Sequence, residues 1–322
     1  MMMISFVIPC YRSENTVSAV VEEIIQEMGQ SMEGCPFEIY LVNDCSPDNV
    51  WSVICRLCET YPMVHGISLA RNFGQHSALM AGYRHCSGDI IVSLDDDGQA
   101  PIESVGALVE KINEGYDVVF GRYPEIKQSL FRRFGTAMNT KMCEVLLGKP
   151  KSIVSNSFFA MRRFIMDEIT RYENCYPYLG GLIFRSTKNM ANIDVEQRNR
   201  AEGTSGYSIM KLLMLWLNGF TSFSVKPLRV ASVVGIVSAV LGFIWGIYCI
   251  IHKIVNPNVL IGYSSLAAII LFIGGMIMLM LGMIGEYVGR IYISINNSPQ
   301  YVIKEFCNVK EKEQSSADKQ IE

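Results

Sequence analysis

The sequence predicts an α/β domain built on a parallel sheet and followed by two C-terminal transmembrane helices. Three observations predict this architecture. Short apolar runs alternate with longer helix-like stretches through the first 120 residues, polar residues follow directly on the predicted strands, and two uncharged apolar stretches lie near the C-terminus. Alternating strands and helices at this spacing are typical of a parallel sheet with helices on both faces.

Five apolar runs rich in β-branched and aromatic residues are the predicted strands of this sheet: Ile4–Pro9, Phe37–Val42, Val64–Leu69, Asp89–Leu94 and Asp117–Phe120. The segments between them have helical periodicity and are the predicted helices: Asn15–Met28, Val50–Tyr61, Gln75–His85 and Glu103–Glu114. In such sheets a ligand site forms beyond the C-terminal ends of the strands, where this sequence places its polar residues.

The two apolar stretches Val230–Ile251 and Tyr263–Gly285 are each long enough to cross a hydrocarbon layer of roughly 30 Å. Lys226 and Arg229 precede the first stretch and Arg290 follows the second. The positive-inside rule therefore places both outer flanks in the cytoplasm. We expect a multi-pass protein of the inner (cytoplasmic) membrane, with the N-terminal domain and both termini cytoplasmic. Two buried helices of a soluble protein are the weaker alternative.

Two further helical segments lie between the last predicted strand and the first span. Phe131–Leu147 is basic and amphipathic, and Tyr207–Phe223 is nearly all apolar. Helices of this type lie in the membrane interface, although a core-facing helix remains an alternative for the first. The predicted organisation is a catalytic domain over residues 1–206, an interfacial helix over 207–229, a transmembrane hairpin over 230–285 and a cytoplasmic tail over 286–322. The tail is predicted to be disordered from Lys310 onward.

The formal net charge of −3 conceals an uneven distribution of charge along the 322 residues. Residues 1–121 carry 5 Lys and Arg against 17 Asp and Glu, whereas residues 122–229 carry 17 against 8. This pattern favours a metal or nucleotide site first and a phosphate-facing or membrane-facing surface second, although solvated faces explain it equally well. The ten cysteines are irregularly spaced in a chain without a signal peptide, which predicts reduced thiols in a cytosolic domain.

The strongest local signal is Asp95-Asp96-Asp97, which is followed by Gly98 and Gln99 directly after a predicted strand. Three adjacent carboxylates repel one another unless a cation or hydrogen-bond donors compensate. Mg²⁺ commonly takes one or two carboxylates and completes its shell with substrate phosphates and water. We expect Asp95 and Asp97 to point the same way and Asp96 to point elsewhere, toward a ribose or a helix start. An acidic turn without a ligand is the alternative.

Other candidate site residues follow the remaining strands. Asp44 closes the second strand and is placed to accept hydrogen bonds from a base or ribose, while Ser46 or Asp48 could cap the next helix. Arg71 begins an Arg-Asn-Phe-Gly segment suited to contact with a phosphate. Further cations lie between the acidic turn and the membrane, and the segment 200–207 is predicted to be a loop that folds over a bound phosphate. The cations include Arg122, Arg133 and Arg200, and the loop also contains Ser205.

Taken together, these segments resemble the polyprenyl-phosphate glycosyltransferases of glycosyltransferase family two, which include dolichol-phosphate mannose synthases and bacterial undecaprenyl-phosphate sugar transferases. The resemblance runs from about Ile4 to Lys304. The matching stretches are Val7-Ile8-Pro9-Cys10-Tyr11, Val42-Asn43-Asp44-Cys45-Ser46, Arg71-Asn72-Phe73-Gly74-Gln75-His76, Asp95-x-Asp97-x-Gln99-x-Pro101, Arg200-x-x-Gly203-x-Ser205-x-Tyr207 and Gly285-Glu286-Tyr287-Val288-Gly289-Arg290-Ile291-Tyr292.

The resemblance implies a GT-A fold and a metal-dependent, inverting sugar transfer from a nucleotide sugar, UDP-sugar being favoured, to polyprenyl phosphate. It implies that the nucleotide is held by Pro9, Tyr11, Glu14 and Asp44, with Asp96, Arg71 and Ser205 as further candidates. Mg²⁺ or Mn²⁺ would be bound with the donor diphosphate by Asp95, Asp97 and Gln99. Donor or acceptor phosphates would be contacted by Arg122, Arg133 and Arg200.

The sequence departs from the family pattern where many relatives carry an Asp and an Arg around a Phe. Ser157 stands at the Asp position and Phe159 at the Arg position, and many relatives carry Lys where Gly206 stands. The first departure removes the residue that the resemblance implies as a dedicated general base, and a different acceptor is the alternative explanation. A phosphate monoester has a second pKa near 6, so it can attack without a general base.

Two alternative functions stay open: transfer to another lipid-linked glycan in surface-polysaccharide assembly, and a non-catalytic membrane scaffold. No nucleic-acid partner is expected. Gly285-x-x-x-Gly289 permits close helix packing and so a homo-oligomer.

Overall fold

The computed structural model describes residues 2–123, 148–196, 263–296 and 298–309, together with isolated positions at 140 and 144 and between 233 and 255. The chain divides into two compact units. One comprises Met1–Gly206 and Ser298–Glu322, and the other comprises Tyr207–Asn297. The first unit is an α/β domain whose centre is a single eight-stranded sheet.

The strands of this sheet, in chain order, are β1 (Ile4–Cys10), β2 (Phe37–Asn43), β3 (Val64–Leu69), β4 (Ile90–Ser93), β5 (Val118–Arg122), β6 (Phe159–Arg162), β7 (Met190–Asp194) and β8 (Ile303–Cys307). The helices described in this unit are α1 (Val17–Ser31), α2 (Val50–Thr60), α3 (Gln75–Tyr83), α4 (Val105–Asn113), α5 (Arg163–Thr170) and α6 (Leu179–Ser186), with a 3₁₀ turn at Ile102–Ser104. The five predicted strands are confirmed with bounds that differ by at most two residues.

The sheet is mixed rather than parallel, so that part of the prediction is wrong. Its strand order is β7-β5-β6-β4-β1-β2-β3-β8. Strands β1 to β5 and β7 run in one direction, whereas β6 pairs antiparallel with β4 and β5, and β8 pairs antiparallel with β3. The first four strands are therefore parallel, as their alternation with helices predicts, and of the later strands β6 and β8 run in the opposite direction.

Strand β1 shows why the central strands form. All seven of its residues are buried, since β2 and β4 flank it and helices cover both faces of the sheet. The core formed by Phe6, Ile8, Ile39 and Leu41 is almost completely excluded from solvent. This packing fixes the ends of the strands, and those ends carry the polar residues.

The eighth strand comes from the segment that the sequence assigned to a cytoplasmic tail. Residues of β8 pair along the edge of β3, from Gly66↔Cys307 to Leu69↔Ile303, and Val302 O accepts a 2.8 Å hydrogen bond from Ala70 N. A disulfide joins Cys55 of α2 to Cys307, across a sequence separation of 252 residues. The expectation that all cysteines are reduced is wrong for this pair, because the sheet brings two distant cysteines together. The predicted disorder from Lys310 lies outside the described residues.

The second unit contains the helix α7 (Tyr263–Ile295), which continues beyond the predicted end of the second span at Gly285. Within it, Phe272–Gly289 is long and apolar enough to cross a membrane by length and composition, and it is the one such segment among the residues that the structure describes. The predicted first span, Val230–Ile251, is described only at isolated helical positions. The predicted interfacial helices, Phe131–Leu147 and Tyr207–Phe223, lie outside the described ranges apart from residues 140 and 144.

Candidate active site

The candidate site lies at the edge of the sheet where the parallel strands end. Cys10, Asn43, Leu69 and Ser93 are the last residues of β1 to β4. The residues that follow form loops which contact one another across this edge. Because β6 is antiparallel to β4 and its first residue, Phe159, pairs with Ser93, β6 begins at this edge. The residues just before β6 therefore lie at the same edge. Loops distant in sequence therefore meet there.

Asp96 connects the acidic turn to the loop after β1. Its Oδ2 accepts a 2.9 Å hydrogen bond from the backbone N–H of Tyr11, and its carbonyl oxygen accepts a 2.6 Å hydrogen bond from Thr16 Oγ1. Burial raises the pKa of the Asp96 carboxyl to about 6, in spite of the lowering effect of the Tyr11 N–H. Asp96 therefore joins the acidic turn to the loop after β1.

Asp95 is held by two side chains from other loops. Gln75, the first residue of α3, donates from Nε2 to Asp95 Oδ1 at 2.7 Å. Ser157, which precedes β6, donates from Oγ to Asp95 Oδ2 at 2.5 Å. Each oxygen of the carboxylate thus accepts a hydrogen bond from a different element of the fold.

Asp97 lies in a turn that the following glycine permits. Its Oδ1 accepts a 3.1 Å hydrogen bond from Gln99 N, across Gly98, whose φ is +71°. Tyr123 lies close by: burial, and then the negative charges of Asp95 and Asp97, raise the pKa of its phenol. The charges of both outer carboxylates therefore act on the same phenol.

The donor set of this turn fits a hard divalent cation. Asp95, Asp97 and Gln99 offer carboxylate and amide oxygens, the ligand type that Mg²⁺ and Mn²⁺ prefer. Each carboxylate oxygen has two lone pairs, so the hydrogen bonds from Gln75 and Ser157 do not by themselves prevent Asp95 from coordinating a cation. In the described part of the chain no group of three His, Cys, Asp or Glu side chains is arranged to hold a metal. Two carboxylates and one amide suit an ion that completes its coordination shell with phosphate oxygens and water.

Asp44 holds the loop after β3. It is 3% exposed, and its Oδ1 and Oδ2 accept hydrogen bonds from Phe73 N at 2.7 Å and Gly74 N at 2.8 Å. Burial raises the pKa of its carboxyl, and these two hydrogen bonds oppose the rise. Gly74 has a φ of +89°, which favours glycine there. The structure thus gives Asp44 a positioning role that the sequence did not reveal. Its contact with the nucleotide stays a prediction.

The other predicted nucleotide residues lie around the same edge. Arg71 is exposed, and its guanidinium lies 4.6 Å from the centre of the Phe73 ring. Tyr11 is 44% exposed. Glu14 Oε2 accepts a 2.9 Å hydrogen bond from Asn49 N, just before α2. Pro9 is buried within β1, past the last residue that pairs with β4, and a proline there removes no hydrogen bond to that neighbour.

Arg122 has a protein partner at the end of β5. Its Nε and Nη2 donate to the two oxygens of Asp194 at 2.5 and 2.9 Å, and Arg122 and Asp194 are register partners on the parallel strands β5 and β7. Both side chains are about half exposed. A phosphate that binds Arg122 must therefore compete with Asp194 for the guanidinium. The other predicted phosphate contacts, Arg133, Arg200 and Ser205, lie outside the described residues.

Sequence reasoning assigned no role at the acidic turn to two of the residues that surround it, Gln75 and Tyr123. Gln75 belonged to a recognised motif but had no assigned role. Ser157 was singled out only as a departure from the family pattern, and the structure shows that it contacts Asp95. The position of each residue beside the end of a strand or the start of a helix or strand at this edge could have identified all three.

Two family models match the chain. Glycosyl transferase family 2 matches residues 5–170, and the GtrB C-terminal hairpin matches residues 226–291. The SfII prophage-derived bactoprenol glucosyl transferase of Shigella flexneri is 33% identical over 312 residues, which cover 94% of this chain and 98% of that protein. The undecaprenyl-phosphate 4-deoxy-4-formamido-L-arabinose transferase of Proteus mirabilis is 32% identical over 311 residues, 95% of this chain and 94% of that protein.

Solved structures are similar in fold. The glucosyl-3-phosphoglycerate synthase of Mycobacterium tuberculosis, in complex with Mn²⁺, uridine-diphosphate-glucose and phosphoglyceric acid, aligns with a TM-score of 0.51 at 18% identity. The alignment covers 69% of this chain and 78% of that one. The GT-A-type α/β fold predicted for the N-terminal domain is confirmed.

Proposed function

The chain belongs to glycosyl transferase family 2, and we propose that it transfers a sugar from a nucleotide-sugar donor to a polyprenyl phosphate at the cytoplasmic face of a membrane. The bactoprenol and undecaprenyl-phosphate transferases that it resembles over nearly its whole length support this acceptor. Undecaprenyl phosphate is the acceptor that we put forward, and a UDP-sugar is the favoured donor.

The observation that carries the proposal is the acidic turn after β4, which is linked by hydrogen bonds to two loops and to the start of α3 at the same sheet edge. Asp96 is joined to the loop that contains Tyr11, and Asp95 is joined to Gln75 and Ser157. A turn that is positioned in this way can hold the diphosphate of a donor at a fixed place. Positioning of the reacting groups supplies much of the rate enhancement when no covalent intermediate forms.

We assign Asp95, Asp97 and Gln99 to a bound Mg²⁺ or Mn²⁺. The cation would stabilise the negative charge that develops on the departing diphosphate. Asp44 holds the loop that contains Arg71. We assign this arginine and the exposed Tyr11 to the nucleotide end of the donor. Arg122, Arg133 and Arg200 are assigned to donor or acceptor phosphates.

The proposed reaction is a single displacement. A phosphate oxygen of the acceptor bonds to the anomeric carbon of the sugar while the bond from that carbon to the nucleoside diphosphate breaks, with inversion at the carbon. The acceptor is largely a dianion at neutral pH and needs no general base. Ser157 stands where many relatives carry an Asp, and its hydroxyl donates a hydrogen bond to Asp95. A serine at this position fits a reaction that needs no carboxylate as general base.

Membrane anchoring is assigned to the C-terminal region. The helix α7 contains an apolar segment of sufficient length, and the hairpin family model spans residues 226–291. From these two observations, and from the flanking Lys and Arg residues, we propose two spans, with the catalytic domain and both termini in the cytoplasm. Close packing at Gly285 and Gly289 is the proposed basis of a homo-oligomer.

The test uses the purified full-length protein in nanodiscs with undecaprenyl phosphate and a panel of nucleotide sugars, and product lipids are identified by mass spectrometry. We expect one donor to yield a lipid whose mass has increased by one glycosyl group, with release of a nucleoside diphosphate. Absence of such a lipid with every donor would contradict the acceptor, and product formed only when another lipid-linked glycan is supplied would favour that glycan. If cells that carry an inactive Asp97 variant have the same phenotype as cells that carry the wild type, the result would support a non-catalytic scaffold.

A further inference from the structure

We infer that Gln75 and Ser157 are positioning residues, which together orient the Asp95 carboxylate for the cation that accompanies the donor. This inference rests on the proposed metal-dependent transfer. The two hydrogen bonds are 2.7 and 2.5 Å long, and they reach opposite oxygens of one carboxylate. Two bonds of this kind fix both the place and the rotation of the carboxylate plane, which one bond alone does not do.

Gln75 is itself held in place by a chain of contacts from the core. Asp44, which is almost fully buried, accepts hydrogen bonds from the backbone N–H groups of Phe73 and Gly74. Gly74 O then accepts hydrogen bonds from Ser77 N and Ala78 N in the first turn of α3. The side chain that reaches Asp95 therefore projects from a helix start that the protein interior fixes.

Ser157 is fixed on both sides by its neighbours. Asn156 Nδ2 donates to Gly121 O, and Asn156 Oδ1 accepts a 2.8 Å hydrogen bond from Phe158 N. The Phe158 side chain is 1% exposed. The exposed serine hydroxyl is thus presented from a loop that is anchored to β5 and to the core.

The chemistry of the two donors suits a metal-binding carboxylate. A carboxamide and a hydroxyl are neutral, so they align Asp95 without cancelling its charge, whereas a lysine or arginine at either place would compete with a cation. A carboxylate oxygen has two lone pairs, so it can accept a hydrogen bond and coordinate a cation at the same time. Removal of a residue that hydrogen-bonds to a metal ligand commonly lowers metal affinity by about 10-fold to 100-fold. We expect the lower end of that range, because Gln75 and Ser157 are exposed to water.

The experiment measures Mn²⁺ binding to the full-length protein in nanodiscs by electron paramagnetic resonance, with and without UDP. The variants are Gln75→Met and Ser157→Ala, which remove one donor each, and Ser157→Thr, which keeps the hydroxyl. Gln26→Met and Ser186→Ala are matched controls, because Gln26 is an exposed residue of α1 and Ser186 Oγ donates within α6 to Leu182 O. Steady-state kinetics at varied Mn²⁺ concentration accompany the binding measurements.

We expect each donor-removing variant to weaken Mn²⁺ binding in the presence of UDP by about tenfold. Saturating Mn²⁺ should restore most of kcat, and the threonine variant and both controls should bind as the wild type does. Unchanged Mn²⁺ binding in both donor-removing variants, with normal binding by the wild type, would overturn the inference and leave the proposed function intact. Loss of kcat that excess Mn²⁺ does not restore would also overturn it. A wild-type protein that binds no Mn²⁺ with UDP would overturn both.

Discussion

The backbone N–H of Tyr11 donates a 2.9 Å hydrogen bond to Oδ2 of Asp96, although the two residues are 85 positions apart. The three adjacent aspartates therefore have different partners. The middle one connects two loops of the sheet edge, while Asp95 is held by neutral donors and Asp97 closes its own turn. A repulsive run of carboxylates becomes an ordered site because each side chain is directed to a separate contact.

Substitution of Asp44 by Asn should weaken donor binding while the protein still folds. An amide retains one acceptor but places N–H donors against the backbone N–H of Phe73 or Gly74, which disturbs the loop that contains Arg71. We expect the KM for the nucleotide sugar to rise about tenfold and the free energy of unfolding to fall by about 2 kcal/mol. Asp167→Asn is the control, since Asp167 is exposed on α5. An unchanged KM would show that the loop does not depend on this carboxylate.

Removal of the metal site should abolish transfer without unfolding the domain. Asp97→Asn is expected to lower kcat/KM roughly a hundredfold or more, and a chelator should inhibit the wild type until Mg²⁺ or Mn²⁺ is added in excess. Circular dichroism should stay unchanged, because the sheet and its core include none of these residues. Undiminished formation of sugar-lipid by the Asp97 variant would remove the metal from the mechanism.

The Arg122–Asp194 pair distinguishes a phosphate contact from a surface ion pair. An exposed pair contributes at most about 1 kcal/mol, so neither Arg122→Gln nor Asp194→Asn should change the melting temperature by more than a few degrees. If Arg122 contacts a phosphate, Arg122→Gln lowers kcat/KM at least about tenfold, whereas Asp194→Asn retains activity. Equal activity of both variants and the wild type would mean that the arginine serves Asp194 alone.

The C-terminal strand should be essential for the catalytic domain. A chain that ends at Asn297 loses β8, its pairing with β3, the Ala70 contact and the Cys55–Cys307 bond. We expect its melting temperature to fall by roughly 5 °C or more. A chain that ends at Val309 keeps every one of these contacts and is the matched control. Identical melting of the two truncated proteins would contradict the role of β8.

Stability should fall on acidification because of His76. Burial lowers the pKa of this imidazole from 6.5 to about 4, and its Nδ1 has no hydrogen-bond partner among the residues that the structure describes. Between these two values the unfolded chain takes up a proton that the folded chain does not, so stability is full above pH 6.5 and is lost as the pH falls toward 4. The loss amounts to about 3 kcal/mol. Thermal unfolding of His76→Leu against pH should show a flatter profile, and parallel profiles would refute the assignment.

The sequence alone determined the strands of the first half of the domain, the acidic turn and the presence of long apolar segments. These are local features. Hydrophobic periodicity and turn residues report on the nearest few neighbours, and the bounds of β3 were predicted residue for residue from Val64 to Leu69. The order of polar residues after successive strands also placed Asp44, Arg71 and Asp95 at one edge, since parallel strands end on the same side.

Only the tertiary structure decided which side chains meet at that edge. Ser157 reaches Asp95 because β6 runs antiparallel between β4 and β5, and Cys307 reaches Cys55 because β8 returns to the edge of β3. Neither arrangement is encoded in a short window, since strand order and direction depend on packing between segments that are 62 and 252 residues apart. The partners of Arg122 and Asp96 likewise follow from register and loop contact, which local residue patterns do not specify.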